Sequence, residues 1–301
     1  MAPAMFVGAQ SLPPMNPVQV SPSVWYVQGV SALGSAANQN FISNAGFVVT
    51  PAGVVVIDAL GSPALATRLL GEIRKVTPKP VTHVIVTHYH ADHIYGLQTL
   101  RQHGAKVIAH RSAGEYLSSD LARQRLENSR REMAPWVNAE TVLVPPDQAL
   151  DGDLNLDVGS TSFVIRHVGP AHTPEDLVVY LPSEKVLLAG DLVFRNRVPF
   201  VGQADSKRWI RSLETLLAFD ASTIIPGHGP VSHKAREDMQ LTRDYLVYLR
   251  ETMGRAARDF VPFEEAYQAT DWSRYEQMPL FHAANRINAY NTYLLMEHEA
   301  P

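Results

Sequence analysis

The chain has 301 residues, 46% hydrophobic and 19% charged, with a formal net charge of -4 and no cysteine. That length suffices for one large domain or two small ones with a sizeable core. The mild acidity supplies no basic footprint for nucleic acid, and no apolar run approaches the roughly 18 residues of a membrane span. Zero Cys excludes disulfides, iron–sulfur clusters, thiolate zinc sites and a cysteine nucleophile. Any metal must be held by carboxylates and by the 12 His residues.

Residues 1–22 are rich in Pro and small residues, lack periodicity, and read as an extended arm. They have neither the basic n-region nor the long apolar stretch of a signal peptide. An opening Met-Ala-Pro-Ala equally suits a start codon added to a mature secreted chain. That reading leans the compartment toward periplasmic or secreted; without it the compartment is cytoplasmic.

Short β-rich runs then alternate with helical patterns. Residues 24–30 and 41–50 predict strands joined by a Gly/Ser/Asn-rich loop, 31–40, placed either as a flap over a site or as a plain connection. A buried strand over 54–57 ends at Asp58, and a helix follows over 63–76 with Leu65, Leu69, Ile73 and Val76 on one stripe. Next come a strand over 81–87, a helix over 94–104, a strand over 105–109 and a charged helix over 112–133. The second half repeats the alternation, with strands over 141–144, 154–158, 163–168, 177–181, 186–188 and 223–225 and a helix over 206–219. After His233 the pattern is helical to the end. The domains expected are the arm at 1–22, an α/β body over 23–233, and a helical extension over 234–301 packed on that body.

The sharpest local signal is Thr87-His88-Tyr89-His90-Ala91-Asp92-His93. Its spacing is not the i, i+4 of a helical zinc motif. It suits a strand end turning into a helix: extended backbone puts His88 and His90 on one side, and the turn aims Asp92 and His93 at a neighbouring spot. Three more segments bring a metal-binding side chain to a strand end beside Gly or Pro: Gly169-Pro170-Ala171-His172, Gly190-Asp191, and Pro226-Gly227-His228.

With these motifs in this order, the chain resembles the metallo-β-lactamase superfamily over roughly residues 24–233. The resemblance implies an α/β fold, specifically an αββα sandwich, here with a C-terminal helical extension. It implies His88, His90 and His172 at a first metal, Asp92, His93 and His228 at a second, and Asp191 as the bridging carboxylate. Imidazole-rich sites without thiolate suit two Zn²⁺ per chain, with iron or manganese as alternatives. The activity implied is hydrolysis by a metal-bridging hydroxide, with Asp92 both ligating and orienting it.

Substrate class is divided. The segment Gly169 to Gly190 is similar to that of true metallo-β-lactamases, which commonly carry Cys after that Gly and then a substrate-binding Lys. This chain has Asp191 and Phe194 at those positions. Its ligand set instead resembles glyoxalase II thioesterases and lactonases. The expected reaction is therefore on an ester-, lactone-, thioester- or β-lactam-type carbonyl of a small, possibly anionic molecule. A β-lactamase proper and a non-catalytic metal-binding or interaction protein stand as alternatives.

Asp58 is placed either as a residue orienting the His88–His93 loop or as the cap of the helix from Pro63. Arg195 and Arg197, just after Asp191, are placed at the cleft mouth holding an anionic group, or in a solvated loop. His282 is expected to pack, with a substrate-pocket role as its alternative. His83, His103, His110, His167, His233 and His298 have no metal-like context.

Overall fold

A computed structural model describes residues 13–299. The first half runs β1 (Val18–Gln19), β2 (Val24–Val27), β3 (Ala45–Thr50), β4 (Gly53–Ile57), α1 (Pro63–Val76), β5 (Val81–Ile85), α2 (Ala91–Ile94), α3 (Leu97–Gln102), β6 (Lys106–His110), α4 (Ala113–Ser118), α5 (Asp120–Glu132) and β7 (Gln148–Leu150). The second runs β8 (Leu154–Val158), β9 (Thr161–His167), β10 (Leu177–Leu181), β11 (Val186–Phe194), α6 (Ser206–Leu216), β12 (Thr223–His228), α7 (Ala235–Arg258), α8 (Phe263–Ala269) and α9 (Phe281–Glu299).

Each half contributes one sheet. The first has seven strands in sequence order, antiparallel from β1 to β4 and parallel from β4 to β7. The second has the order β12-β11-β10-β9-β8, with only β11 and β12 parallel. Alternate residues of the two sheets meet in a shared core, Val55, Ile57 and Ile85 on one side and Ile165, Val179 and Leu188 on the other. The outer face of the first sheet packs Val54, Val56 and Val84 against Leu65, Leu69 and Ile73 of α1. The outer face of the second packs Leu187 and Ala189 against Trp209 and Leu213 of α6 and Leu246 and Leu249 of α7. Four layers and three cores make the αββα sandwich, with helices α7 to α9 at the carboxyl end.

Local chemistry explains where the elements depart from the sequence pattern. No strand forms over 141–144, because Pro145 and Pro146 follow at once and lack ladder donors; the edge strand is β7 instead. The helix expected over 112–133 breaks at Ser119, whose extended backbone and side-chain oxygen cap α5. The helix expected over 94–104 is instead α2, which starts earlier at Ala91, and α3, which starts at Leu97 after Tyr95 and Gly96. Within the expected arm, residues 1–12 lie outside the described residues, while Val18 and Gln19 pair with β2. The loop 31–40 is tied back by Arg68 to Gln39 and by Trp136 to the Ala36 carbonyl. Among the described residues, no helix is long and apolar enough to cross a membrane.

Candidate metal centre

The seven candidate ligands come from four chain segments that end at one edge of the sandwich. The loop after β5 carries His88 and His90 and the short α2 that follows carries Asp92 and His93; the β9–β10 connection carries His172; β11 carries Asp191; and β12 ends on His228. β11 and β12 run further than their apolar runs suggested, and their pairing slips between Leu188 and Gly190 and again between Gly190 and Phe194. Asp191 sits within that irregular stretch, where a bulge re-aims the side chain. Gly190 adopts φ +52°, and a Cβ there would lie 2.7 Å from Thr87 Oγ1. A Cβ on Gly227 would lie 2.0 Å from Asp191 Oδ1, so glycine leaves the space the carboxylate occupies.

Two groups of side chains converge. His88, His90, His172 and Asp191 each offer one ligand atom within 4.8 Å of the others, and Asp92, His93 and His228 form a second such group. His90 Nδ1 lies 3.1 Å from His88 Nε2 and 3.0 Å from His172 Nε2. The Asp191 carboxylate stands between the groups, with Oδ1 3.2 Å from His93 Nε2 and Oδ2 3.3 Å from His228, 3.4 Å from His172 and 3.7 Å from His88. Asp92 Oδ2 is 3.2 Å from His228 Nε2.

Hydrogen bonds behind the rings fix which nitrogen faces inward. Asp58 accepts from the Thr87 amide and hydroxyl, each at 2.8 Å, and lies 2.8 Å from His93 Nδ1. Thr87 Oγ1, having donated to Asp58, is left to accept from His88 Nδ1 at 3.0 Å. His228 Nδ1 donates to the Ile42 carbonyl at 2.7 Å. Each of these rings therefore turns an Nε2 lone pair toward the centre, the arrangement metal-binding imidazoles use. Asp58 does not cap α1; Ser62 does, accepting from the Leu65 amide.

Electrostatics separate the two groups. Burial, followed by neighbouring imidazoles, pushes His90 down to about 3 and holds His88 well below the usual value. Burial likewise dominates at His172, lowered to about 4 although Asp191 opposes it. These rings are neutral, as ligands must be. In the second group burial would lower His93 and His228, but the facing carboxylates, Asp191 first and then Asp92, together outweigh it and raise both. Burial would raise Asp92 and Asp191, yet facing histidines hold both carboxyls below their ordinary range. His93 Nε2 and Asp191 Oδ1 are buried without a hydrogen-bond partner. Orphaned lone pairs, neutral imidazoles and ionised carboxylates at one spot fit a bound cation.

A family model described as the metallo-beta-lactamase superfamily matches residues 39–228. The metallo-beta-lactamase type 2 of Bacillus cereus is 30% identical over 221 residues, covering 72% of this chain and 77% of that protein.

The chain belongs to the metallo-beta-lactamase superfamily.

Within the superfamily it is also similar to a linear primary-alkylsulfatase of Pseudomonas sp. (strain ATCC 19151), 25% identical over 240 residues and 68% of this chain. The chain spans 45% of that relative's length. Among solved structures, a metallo-beta-lactamase from Pontibacter korlensis matches with TM-score 0.62 at 24% identity, covering 78% of this chain and 99% of that one. A stereoselective inverting sec-alkylsulfatase from Pseudomonas sp. reaches 0.70 at 17% identity, over 93% of this chain and 50% of that one. Both structural likenesses are of fold.

The two arginines after Asp191 part company. Arg195 donates to Asp238 Oδ1 at 3.1 Å and to the Val231 carbonyl at 3.0 Å. Arg197 is buried, with Nη1 3.2 Å from His228 Nδ1 and its guanidinium near the Phe194 ring. Phe194 itself stacks on His228, centroids 5.2 Å apart. His282 is exposed. Asn44 is a residue the motifs did not reveal. Its side chain donates to the Pro226 and Gly229 carbonyls and its amide to Gly227, fastening the His228 loop to the start of β3. A lone Asn in a loop carries no spacing that could have marked it.

Proposed function

We propose that the protein is a binuclear metal-dependent hydrolase of small molecules. His88, His90 and His172 would hold one cation, Asp92, His93 and His228 the other, with Asp191 shared. The observation carrying this reading is the single Asp191 carboxylate facing imidazoles of both groups at 3.2 to 3.7 Å. The donor set suits Zn²⁺, with iron or manganese as alternatives. When bound, such a pair lowers the pKa of water to about 7 and polarises the oxygen of an ester-like group.

The remaining roles belong to the chain. Asp58 and Thr87 hold the His88–His93 loop in register. Asp92, whose side chain is 15% exposed, presents a carboxylate to solvent and orients the attacking water by hydrogen bonding. A cavity of about 570 Å³ opens beside His90 and His172, lined by Tyr116, Leu121, Arg125 and Phe200. It has the size and mixed lining of a small-molecule pocket. The substrate class proposed is an ester-, lactone-, thioester- or β-lactam-type carbonyl compound.

A second reading, sulfate-ester hydrolysis, is supported by the extent of the fold match. The sec-alkylsulfatase covers 93% of this chain against 78% for the lactamase from Pontibacter korlensis. Elemental analysis of the purified protein, followed by lactone, thioester, β-lactam, alkyl sulfate and phosphodiester substrates, separates the readings. Two metal ions with no turnover of any of them would leave a metal-binding protein without catalysis.

A further inference from the structure

Among the described residues, seven buried side-chain nitrogen or oxygen atoms lack a hydrogen-bond partner. Three are on His93, His172 and Asp191, in the metal centre, and one is Thr292 Oγ1. The other three, Arg197 Nε, Asp238 Oδ2 and Tyr275 Oη, belong to residues lining one cavity of about 680 Å³. It lies between the loop after β11, the first half of α7 and residues 274–279. The three residues are 5%, 5% and 4% exposed respectively. Buried polar atoms are almost always paired, so their concentration at two places in a fold marks both as receiving something polar.

The chemistry of this second place is specific. Arg195, Lys234 and Arg274 line the cavity too, and each has a carboxylate partner, in Asp238, Glu237 and Asp244. Arg197 has none among the described residues. Its neighbour His228 Nδ1 already gives its proton to Ile42, so it offers Arg197 no lone pair. Asp92 and Asp191, the carboxylates acting on Arg197 from a distance, face the metal positions. Asp238 uses Oδ1 for Arg195 and keeps Oδ2 free, while Tyr275 offers a hydroxyl. Phe194, Leu241, Tyr245 and Met278 supply apolar wall. Water would satisfy a hydroxyl but supplies no counter-charge to a buried guanidinium.

We propose that this cavity is a second ligand site, on the far side of His228 from the metal positions, for a small amphipathic carboxylic acid. Its carboxylate pairs with Arg197 and Tyr275, an amide N–H or hydroxyl donates to Asp238 Oδ2, and its apolar body lies against Phe194, Leu241 and Met278. An N-acyl amino acid carries all three groups. The site does not depend on the centre's catalysing any reaction.

The test is calorimetric titration of the metal-containing protein with N-acetyl-L-phenylalanine and, separately, its methyl ester. The acid is expected to bind, and the ester at least about tenfold more weakly, since it cannot pair with the guanidinium. Tyr275→Phe removes only a hydroxyl that has no partner in the fold, and should weaken the acid about tenfold. Leu241, 57% exposed at the cavity, can be enlarged as Leu241→Trp to block entry. Both variants should keep the parent's metal content. Absence of heat with the acid, equal binding of acid and ester, or binding indifferent to both substitutions would each overturn the proposal. Indifference would place the acid on the metals, and absence of heat would leave water as the occupant.

Discussion

Asp58 Oδ2 stands 2.8 Å from His93 Nδ1, and the same carboxylate holds the backbone and hydroxyl of Thr87. One side chain thus sets both the tautomer of a candidate ligand and the path of the loop that carries it. Asp58 has φ +64°, a conformation Asn shares without strain, so Asp58→Asn is a clean probe. Its amide N–H₂ turned toward His93 would favour the opposite tautomer and put a proton on Nε2. Metal affinity is expected to fall about 10- to 100-fold, measured by competition with a chromogenic chelator. Unchanged affinity would remove Asp58 from the metal centre's support.

Gly227 leaves room for the Asp191 carboxylate, the nearest atom to a Cβ there being Oδ1 at 2.0 Å. Gly227→Ala should displace that oxygen and press on the Gly190 backbone, costing about 1–3 kcal/mol of stability. The expected signature is loss of bound metal with far-UV circular dichroism retained and a lowered Tm. A variant that keeps its full metal complement would show that the carboxylate position is not shared.

Asp92→Ala and His90→Ala each remove one candidate ligand, one from each group. Hydrolysis should fall by roughly 10³-fold or more, the scale of losing a principal electrostatic contributor. Steady-state kinetics on whichever substrate the panel identifies, paired with metal analysis of each variant, provides the measurement. Near-parental turnover by a variant stripped of metal would sink the metal-dependent reading.

Away from the candidate metal centre, His110 at the end of β6 stacks on His167 at the end of β9, with centroids 3.6 Å apart and planes 3° apart. Burial, and then His167, pulls His110 down to about 4 from 6.5, with Asp151 opposing and Arg111 assisting. The unfolded chain therefore takes up this proton at higher pH than the folded one. The stabilisation is complete above pH 6.5 and is lost as pH falls toward 4. Thermal melts between pH 7 and 4.5 should show a steeper acid decline for the parent than for His110→Phe. Parallel declines would mean that the fold does not lower the His110 pKa.

The candidate ligands were legible in the sequence because the backbone does most of the selecting. A strand delivers alternate side chains to one side, and Gly or Pro beside His172, Asp191 and His228 marks where the chain stops being regular. The αββα layering was implied by the family resemblance those motifs carry, whereas the alternation of apolar runs indicated only an α/β body. What could not be read was whatever depends on distant segments meeting. Asn44 bonds residues more than 180 positions away, and His110 meets His167 only because two sheets face each other. Arg195 and Arg197 look equivalent two residues apart, yet one finds Asp238 and the other finds no carboxylate among the described residues. Strand ends were misjudged for a related reason. β11 and β12 continue past their apolar runs because Gly190 and Gly227 let the two backbones approach closely enough to keep pairing.

His88, His90, Asp92 and His93 come from the first sheet's half of the chain, whereas His172, Asp191 and His228 come from the second. Neither candidate group can close within the first half: the first lacks His172 and Asp191, the second His228. During synthesis, then, the first candidate group cannot be complete until residue 191 has emerged, nor the second until residue 228 has, and neither forms before the two sheets meet. Two separately expressed fragments divided at residues 151–153, between β7 and β8, would each be metal-poor. Their reassembly could be followed by metal uptake alone, which makes the centre a built-in reporter of joined halves.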